Sequence, residues 1–132
     1  MRVCLVSSNL HSVPPPTYGG VEGQMALHAA GLAQLGHEVH VLTVDGPRTS
    51  GDGLPGVSIH SLGSAFEGSG RRSVTELARS QFGFARSARA LIEELAPDVV
   101  HWHARYPCLV GGRGSASNRR WVSIYHAHNW KR

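Results

Sequence analysis

Cysteine is scarce in this chain of 132 residues, which has Cys4 and Cys108 and no others. Two cysteines exclude a disulfide-stabilised scaffold and favour a reducing, cytoplasmic location. Cys4 lies in an apolar run, which predicts a small core residue rather than a reactive thiol. No apolar run approaches the roughly 20 residues that cross a bilayer. Because the first apolar run turns polar at Ser7, too early for a signal peptide, we expect a cytoplasmic protein with at most peripheral membrane contact.

Acidic residues are missing from the last part of the chain. From His101 onward there are six lysines and arginines, four histidines and no acids, whereas residues 1–100 hold nine acids and seven basic residues. A basic segment suits phosphates, anionic lipid or nucleic acid, but it also fits a fragment whose acidic partners lie elsewhere. The sequence carries no RNA-module motif, and its terminal aromatics alternate like core residues. We therefore expect no nucleic-acid partner.

Several nucleotide-binding and hydrolase motifs do not occur where their chemistry needs them. The first predicted strand is not followed by G-x-G-x-x-G, the chain has no P-loop, and it has no G-x-S-x-G nucleophile elbow. These absences count against a dinucleotide-binding enzyme and against a serine hydrolase.

What is present is an alternation of strand and helix patterns. Apolar, β-branched runs predict strands, and apolar residues at helical spacing predict helices, in the order strand 3–6, helix 21–35, strand 38–44, strand 57–62, helix 73–95, strand 98–103 and strand 121–125. Such alternation predicts an α/β, Rossmann-like, doubly wound parallel sheet. Since a complete domain of this kind continues past its fifth strand, we expect residues 1–132 to form a single, incomplete N-terminal domain.

Three features predict where the helices begin and end and how the second helix packs. Gly36 follows the first helix, where a left-handed residue is favoured, and Ser73 with Glu76 forms a capping box that opens the second. The buried face of the second helix is expected to carry Val74, Leu77, Phe82, Ala85, Ala88, Ile92 and Leu95.

Polar groups follow three of the predicted strands. They are Gly19–Gly20 after the first, His103–Arg105 after the fourth, and His126 with His128 after the fifth. In an open parallel sheet the ligand lies at the carboxyl ends of the strands, so these groups are expected at one site. Glycines before a helix suit a phosphate, because the helix start offers free N–H groups, although a plain turn is the commoner use.

The histidines at this edge form two pairs of residues spaced two apart, His101 with His103 and His126 with His128. Each pair shares one face of its strand, a spacing that also suits metal binding. A metal site needs two further ligands, and no Cys or carboxylate motif supplies them nearby, so we expect no metal. A hydrogen-bonded structural role and a role as base or orienting group both remain open.

Taken together, these segments resemble the opening of family-4 glycosyltransferases. Tyr18–Glu22, Leu35–Val39, Pro97–His103 and Tyr125–Asn129 are similar to the family's glycine loop and to its second, fourth and fifth strand regions. The similarity covers nearly the whole chain and is weakest over 45–72 and 107–119.

The resemblance implies a GT-B fold, in which two Rossmann-like domains face each other across a cleft. It implies sugar transfer with retention, from a nucleotide-sugar donor, without a metal or any cofactor beyond that substrate. The N-terminal domain then binds the acceptor, whose nature as sugar, lipid or small molecule stays open.

The resemblance also assigns residues. Gly19 and Gly20 approach the donor diphosphate, and the histidine ending the fifth strand lies near the transferred sugar, with His128 the first choice and His126 the second. The remaining candidates are assigned to the acceptor side and are Tyr18, Glu22, His103 and Arg105.

The donor-binding C-terminal domain of the family has no counterpart in these residues. We therefore expect the chain to be inactive alone and to need a C-terminal domain or a separate chain that binds the donor. The alternatives are a non-catalytic binding module, including a partner subunit of a split enzyme, and another kind of nucleotide-binding Rossmann domain.

Overall fold

A computed structural model of the chain describes residues 1–16, 19–46, 53–65, 73–103 and 121–126. Its helices and strands follow in the order β1 (Arg2–Val6), α1 (Gly20–Gln34), β2 (Glu38–Asp45), β3 (Val57–Ser64), α2 (Val74–Leu95), β4 (Val99–Trp102) and β5 (Val122–Tyr125). The five strands form one sheet in the order β3-β2-β1-β4-β5, and every neighbouring pair is parallel. The predicted Rossmann-like α/β fold is therefore confirmed.

Strand β1 lies in the middle of the sheet and is buried on both faces. Leu5 belongs to the core cluster on the α1 side, together with Met25 and Ala29. Cys4 belongs to the cluster on the α2 side, together with Ala88. Because helices cover both faces, the strand is apolar throughout instead of alternating. Burial raises the pKa of the Cys4 thiol to about 12, so this side chain is a neutral core group, as predicted.

Helix α1 packs through Met25 and Ala29, which are fully buried, and it ends before Leu35, which is largely exposed. Gly36 has a φ of +82°, the left-handed conformation predicted for it. Its N–H donates to the carbonyl of Ala33 at 2.9 Å, and the N–H of His37 donates to Leu32 at 3.1 Å. These bonds satisfy carbonyls that the helix end leaves open.

Helix α2 begins with the predicted capping box. The Ser73 side chain accepts from the Glu76 N–H at 3.3 Å, and the Glu76 carboxylate accepts from the Ser73 N–H at 3.1 Å. Its predicted buried face was wrong at two positions, because Val74 is 83% exposed and Phe82 is 42% exposed, whereas Phe84 is buried. At about 100° per residue, Phe84 lies roughly 40° from buried Ala88 around the helix and Phe82 roughly 120° away.

The outer strands of the described sheet are β3 and β5. Strand β3 has only half-buried and exposed residues, as expected for a strand near an edge, but their order is irregular and Ile59 is exposed. Strand β5 is apolar, but its apolar side chains are not buried among the described residues. Val122 is 63% exposed and Ile124 is 46% exposed. The inner strands β2, β1 and β4 carry the core.

Candidate functional site

The order of the sheet reverses at β1, which has β2 on one side and β4 on the other. In such a sheet a crevice opens between the carboxyl ends of the two strands at the reversal. The segments that enter this crevice follow β1 and β4. The N–H of His103, directly after β4, donates to the carbonyl of Val6 at 2.8 Å. The ends of the two strands are thus joined at the predicted edge.

The start of α1 lies beside this crevice. Gly19 precedes the helix with φ −163° and ψ 99°, and no described side chain caps the helix there. That φ is an extended conformation that any residue can adopt. Glycine is needed here because the neighbouring atoms leave no room for a side chain. A Cβ at Gly19 would lie 3.0 Å from the Cβ of Pro15 and 3.1 Å from Oε2 of Glu22. Gly20 is the first residue of the helix and is exposed, with its N–H in the first turn.

Glu22, in the first turn of α1, is buried and accepts a hydrogen bond from the Ser8 hydroxyl at 3.2 Å. Ser8 is also buried, and the N–H of Leu10 donates to its oxygen at 3.4 Å. This contact ties the loop after β1 to the start of α1. The family resemblance indicates Glu22, whereas no local pattern marks Ser8, whose partner lies 14 residues away.

The same loop is held from two other directions. The Asn9 side-chain amide donates to the Ser80 hydroxyl of α2 at 2.9 Å. Thr43 of β2 accepts from the Val13 N–H at 3.0 Å and from the Ser7 hydroxyl at 3.1 Å. The peptide bond before Pro14 is cis. Side chains from β2 and α2 therefore position the loop that carries Ser8.

Three histidines meet at the ends of β4 and β5. The ring centroids of His101 and His103 lie 4.0 Å apart, and those of His103 and His126 lie 5.4 Å apart. One ring nitrogen from each of the three can be chosen so that all lie within 4.8 Å of one another. His103 is buried, His101 is half-buried and His126 is exposed. The predicted meeting of His103 and His126 at one edge is thus observed, and His101, predicted to share a face with His103, lies in the same group.

His28 of α1 extends this group. Its ring centroid lies 5.9 Å from that of His103 and 6.4 Å from that of His101. His28 was not predicted from the sequence, because a single histidine on a helix has no spacing partner that marks it. Its position beside buried Ala29, at the border of the apolar stripe, was the available indication.

The remaining predicted site residues, Tyr18, Arg105 and His128, lie outside the described residues. The structure therefore brings Gly19, Gly20 and Glu22 to the start of α1, and His103 with His126 to the ends of β4 and β5.

Two other features lie away from this crevice. The stretch 51–56 spells G-x-G-x-x-G, but strand β3 follows it directly, so the strand–turn–helix context of a dinucleotide-binding motif is missing. A shallow depression lies at the opposite edge of the sheet and is lined by Met1, Arg2, Gly36, Glu38, Ala96 and Asp98. Neither feature contributes to the candidate site.

The family model described as Glycosyltransferase Family 4 matches residues 18–132. A search of curated proteins found no match. Among the described residues, no helix combines the length and the apolar composition that crossing a membrane requires.

Proposed function

Because the chain belongs to glycosyltransferase family 4, we propose that it forms the acceptor-side part of a retaining glycosyltransferase. The donor is a nucleotide sugar, and the acceptor is a sugar, a lipid or another small molecule. The observation that carries this proposal is that the start of α1, which no described side chain caps, and a histidine group follow the strands on the two sides of the reversal point of a family-4 sheet.

The start of α1 is proposed to face the donor diphosphate. When the glycosidic bond breaks, the leaving diphosphate gains negative charge, and N–H donors held at a helix start stabilise that charge selectively. Gly19 and Gly20 allow the backbone to come close, since neither carries a side chain. No cofactor is required in this scheme, because the nucleotide sugar is itself a substrate.

The histidines are proposed to line the transferred sugar and the acceptor. His126 follows β5 and His128 lies two residues further along the sequence, so both are candidates for the contact with the transferred sugar. His103 and Arg105, which follow β4 in the sequence, are proposed to contact the acceptor. Tyr18 and Glu22, before and in the first turn of α1, are proposed to contact it as well. Glu22 is held in place by the Ser8 hydroxyl, which orients its carboxylate beside Gly19.

Retention of configuration does not depend here on the paired carboxylates that glycosidases use. The proposal instead requires a donor-binding C-terminal domain or chain facing this crevice. Without that part, a nucleotide sugar has contacts on one side only, and we expect weak donor binding and no turnover.

The direct test measures nucleotide release. The chain is mixed with a donor-binding domain of the family, a panel of nucleotide sugars, and sugar or lipid acceptors, and the freed nucleoside diphosphate is quantified. Release that requires both the chain and an acceptor supports the proposal. Acceptor binding without any release would favour the non-catalytic binding module instead.

A further inference from the structure

His101, His103 and His126 come from two neighbouring strands but present ring nitrogens to a common point. His101 lies in β4 and His103 directly follows that strand, two residues further on, so their side chains leave the same face of the sheet. His126 follows β5, which pairs with β4 in parallel register, Trp102 opposite Tyr125. The register therefore brings His126 beside the pair, and the chosen nitrogens of the three lie within 4.8 Å of one another.

Backbone hydrogen bonds to the neighbouring strands β1 and β4 hold His103 and His126 in position. The N–H of His103 donates to Val6 at 2.8 Å, and the N–H of His126 donates to Trp102 at 2.9 Å. His103 and Trp102 are buried, so the base of the group belongs to the packed sheet. Three ligands on rigid strands lose little conformational freedom when they bind an ion.

The three imidazole nitrogens determine which class of metal ion this group would bind. Neutral imidazole nitrogens bind Zn²⁺, Co²⁺, Ni²⁺ and Cu²⁺ well, whereas Mg²⁺ and Ca²⁺ prefer oxygen ligands. Three histidines with an open fourth position are an established ligand set for Zn²⁺. Zn–N bonds of about 2.0–2.1 Å place two ligands of a tetrahedral site roughly 3.4 Å apart. Because His126 lies at the surface, rotation of its side chain brings its nitrogen inward without disturbing the core.

We propose that His101, His103 and His126 form a binding site for one divalent transition-metal ion, with Zn²⁺ as the best fit. This departs from the sequence-based expectation of no metal, because the third ligand lies 23 positions beyond His103 in the chain and only strand pairing brings it near. Because His103 and His126 are also proposed to line the acceptor and the sugar, a bound ion would compete with those substrates for the same side chains. Metal binding is measured on the chain itself, so its failure is distinguishable from a failure of glycosyl transfer.

The test titrates the untagged full chain with Zn²⁺ by isothermal calorimetry and with Co²⁺ by visible absorption. We expect one ion per chain and the strong visible bands of tetrahedral Co²⁺. His101→Ala, His103→Ala and His126→Ala should each weaken binding by about tenfold or more, since loss of even an outer-shell partner costs about 10–100-fold. His126 is exposed, so its variant keeps the fold, which circular dichroism checks for all three.

Two controls separate this site from general histidine binding. His60→Ala removes a histidine of β3 that is not in the group, and it should leave the affinity for Zn²⁺ unchanged. Mg²⁺ should not compete with Zn²⁺. The proposal is overturned by the absence of saturable Zn²⁺ binding to the folded chain, by equal weakening in His60→Ala, or by an unchanged affinity in both His101→Ala and His126→Ala.

Discussion

His40 of β2 and His60 of β3 face each other, with Nδ1 of His40 and Nε2 of His60 3.0 Å apart. The other nitrogen of His40 lies 3.1 Å from the Glu38 carboxylate, which also accepts from Nε of Arg2 at 2.9 Å. A short contact between two rings requires one proton between the facing nitrogens, so it is lost when both rings are fully protonated. Burial, and then repulsion by His40, lower the pKa of His60 below its ordinary 6.5.

This pair predicts a pH dependence of folding stability. Because the pKa of His60 is lower in the folded chain than in the unfolded chain, the unfolded chain binds more protons just below pH 6.5. Stability should therefore be full above pH 6.5 and fall as the pH drops toward the folded pKa. Urea unfolding of the wild type and of His60→Gln across this range measures the effect. If the free energy of unfolding changed with pH equally in both proteins, His60 would not be the group responsible.

Glu38 predicts a second loss of folding stability, at a lower pH than that of His60. Hydrogen bonding to Arg2, and then to His40, lowers its pKa from the ordinary 4.5. Its contribution to stability is present above pH 4.5 and is lost as the pH falls below that value. In Glu38→Gln the loss of stability in this lower window should shrink, while the change near pH 6 that arises from His60 persists.

Gly19→Ala should destabilise the fold. An added methyl group would lie 3.0 Å from the Cβ of Pro15, whose ring cannot rotate away, and overpacking of this kind costs about 1–3 kcal/mol. Gly23→Ala is the matched control in the same helix, because an added Cβ there has no neighbour within 4 Å. That change should stabilise by about 0.5–1 kcal/mol, as alanine is the better helix former. Urea midpoints that shift the same way in both variants would argue against a tight contact at Gly19.

Gly20→Val tests the proposed diphosphate contact. The side chain should block the approach of the donor to the start of α1 and abolish most turnover in the completed enzyme, while circular dichroism stays the same. Gly23→Ala, one turn further along α1, should keep its activity. Undiminished sugar transfer by Gly20→Val would exclude this helix start from the donor site.

The two candidates for the sugar site are separated by single substitutions. His128→Ala should lower turnover strongly in the completed enzyme, and His126→Ala should lower it less, measured as kcat and kcat/KM for each. The opposite order would transfer the role to His126. If neither variant changes transfer, the histidines act only in structure or, for His126, in metal binding.

Strand β5 predicts self-association of the chain on its own. Val122, Ile124 and Tyr125 expose large apolar surfaces on an outer strand of the described sheet, and exposed strands and apolar patches associate. Sedimentation velocity of the isolated chain should show concentration-dependent oligomers. Thermal unfolding followed by circular dichroism should show a poorly cooperative transition. Ile124→Lys places a charge on this strand and should shift the population toward monomer. A sharply melting monomer at all concentrations would refute the prediction.

The sequence by itself determined the features that depend on neighbouring residues. The apolar run of β1 predicted a strand buried on both faces, Gly36 predicted a left-handed helix end, and Ser73 with Glu76 predicted the capping box. Each depends on the conformational preference or hydrogen bonding of a few adjacent residues, which a local pattern records fully. The general rule for parallel sheets also indicated that Gly19, His103 and His126 belong to one edge.

The tertiary structure alone decided which distant side chains touch. Ser8 reaches Glu22, His28 joins His103, and His101 gains a third histidine because β4 and β5 pair in one particular register. Helix rotation likewise decided that Phe84 and not Phe82 enters the core. Periodicity reports whether a residue faces inward, but the partner on the other side depends on strand order, register and helix rotation, which only the packing of the whole sheet sets.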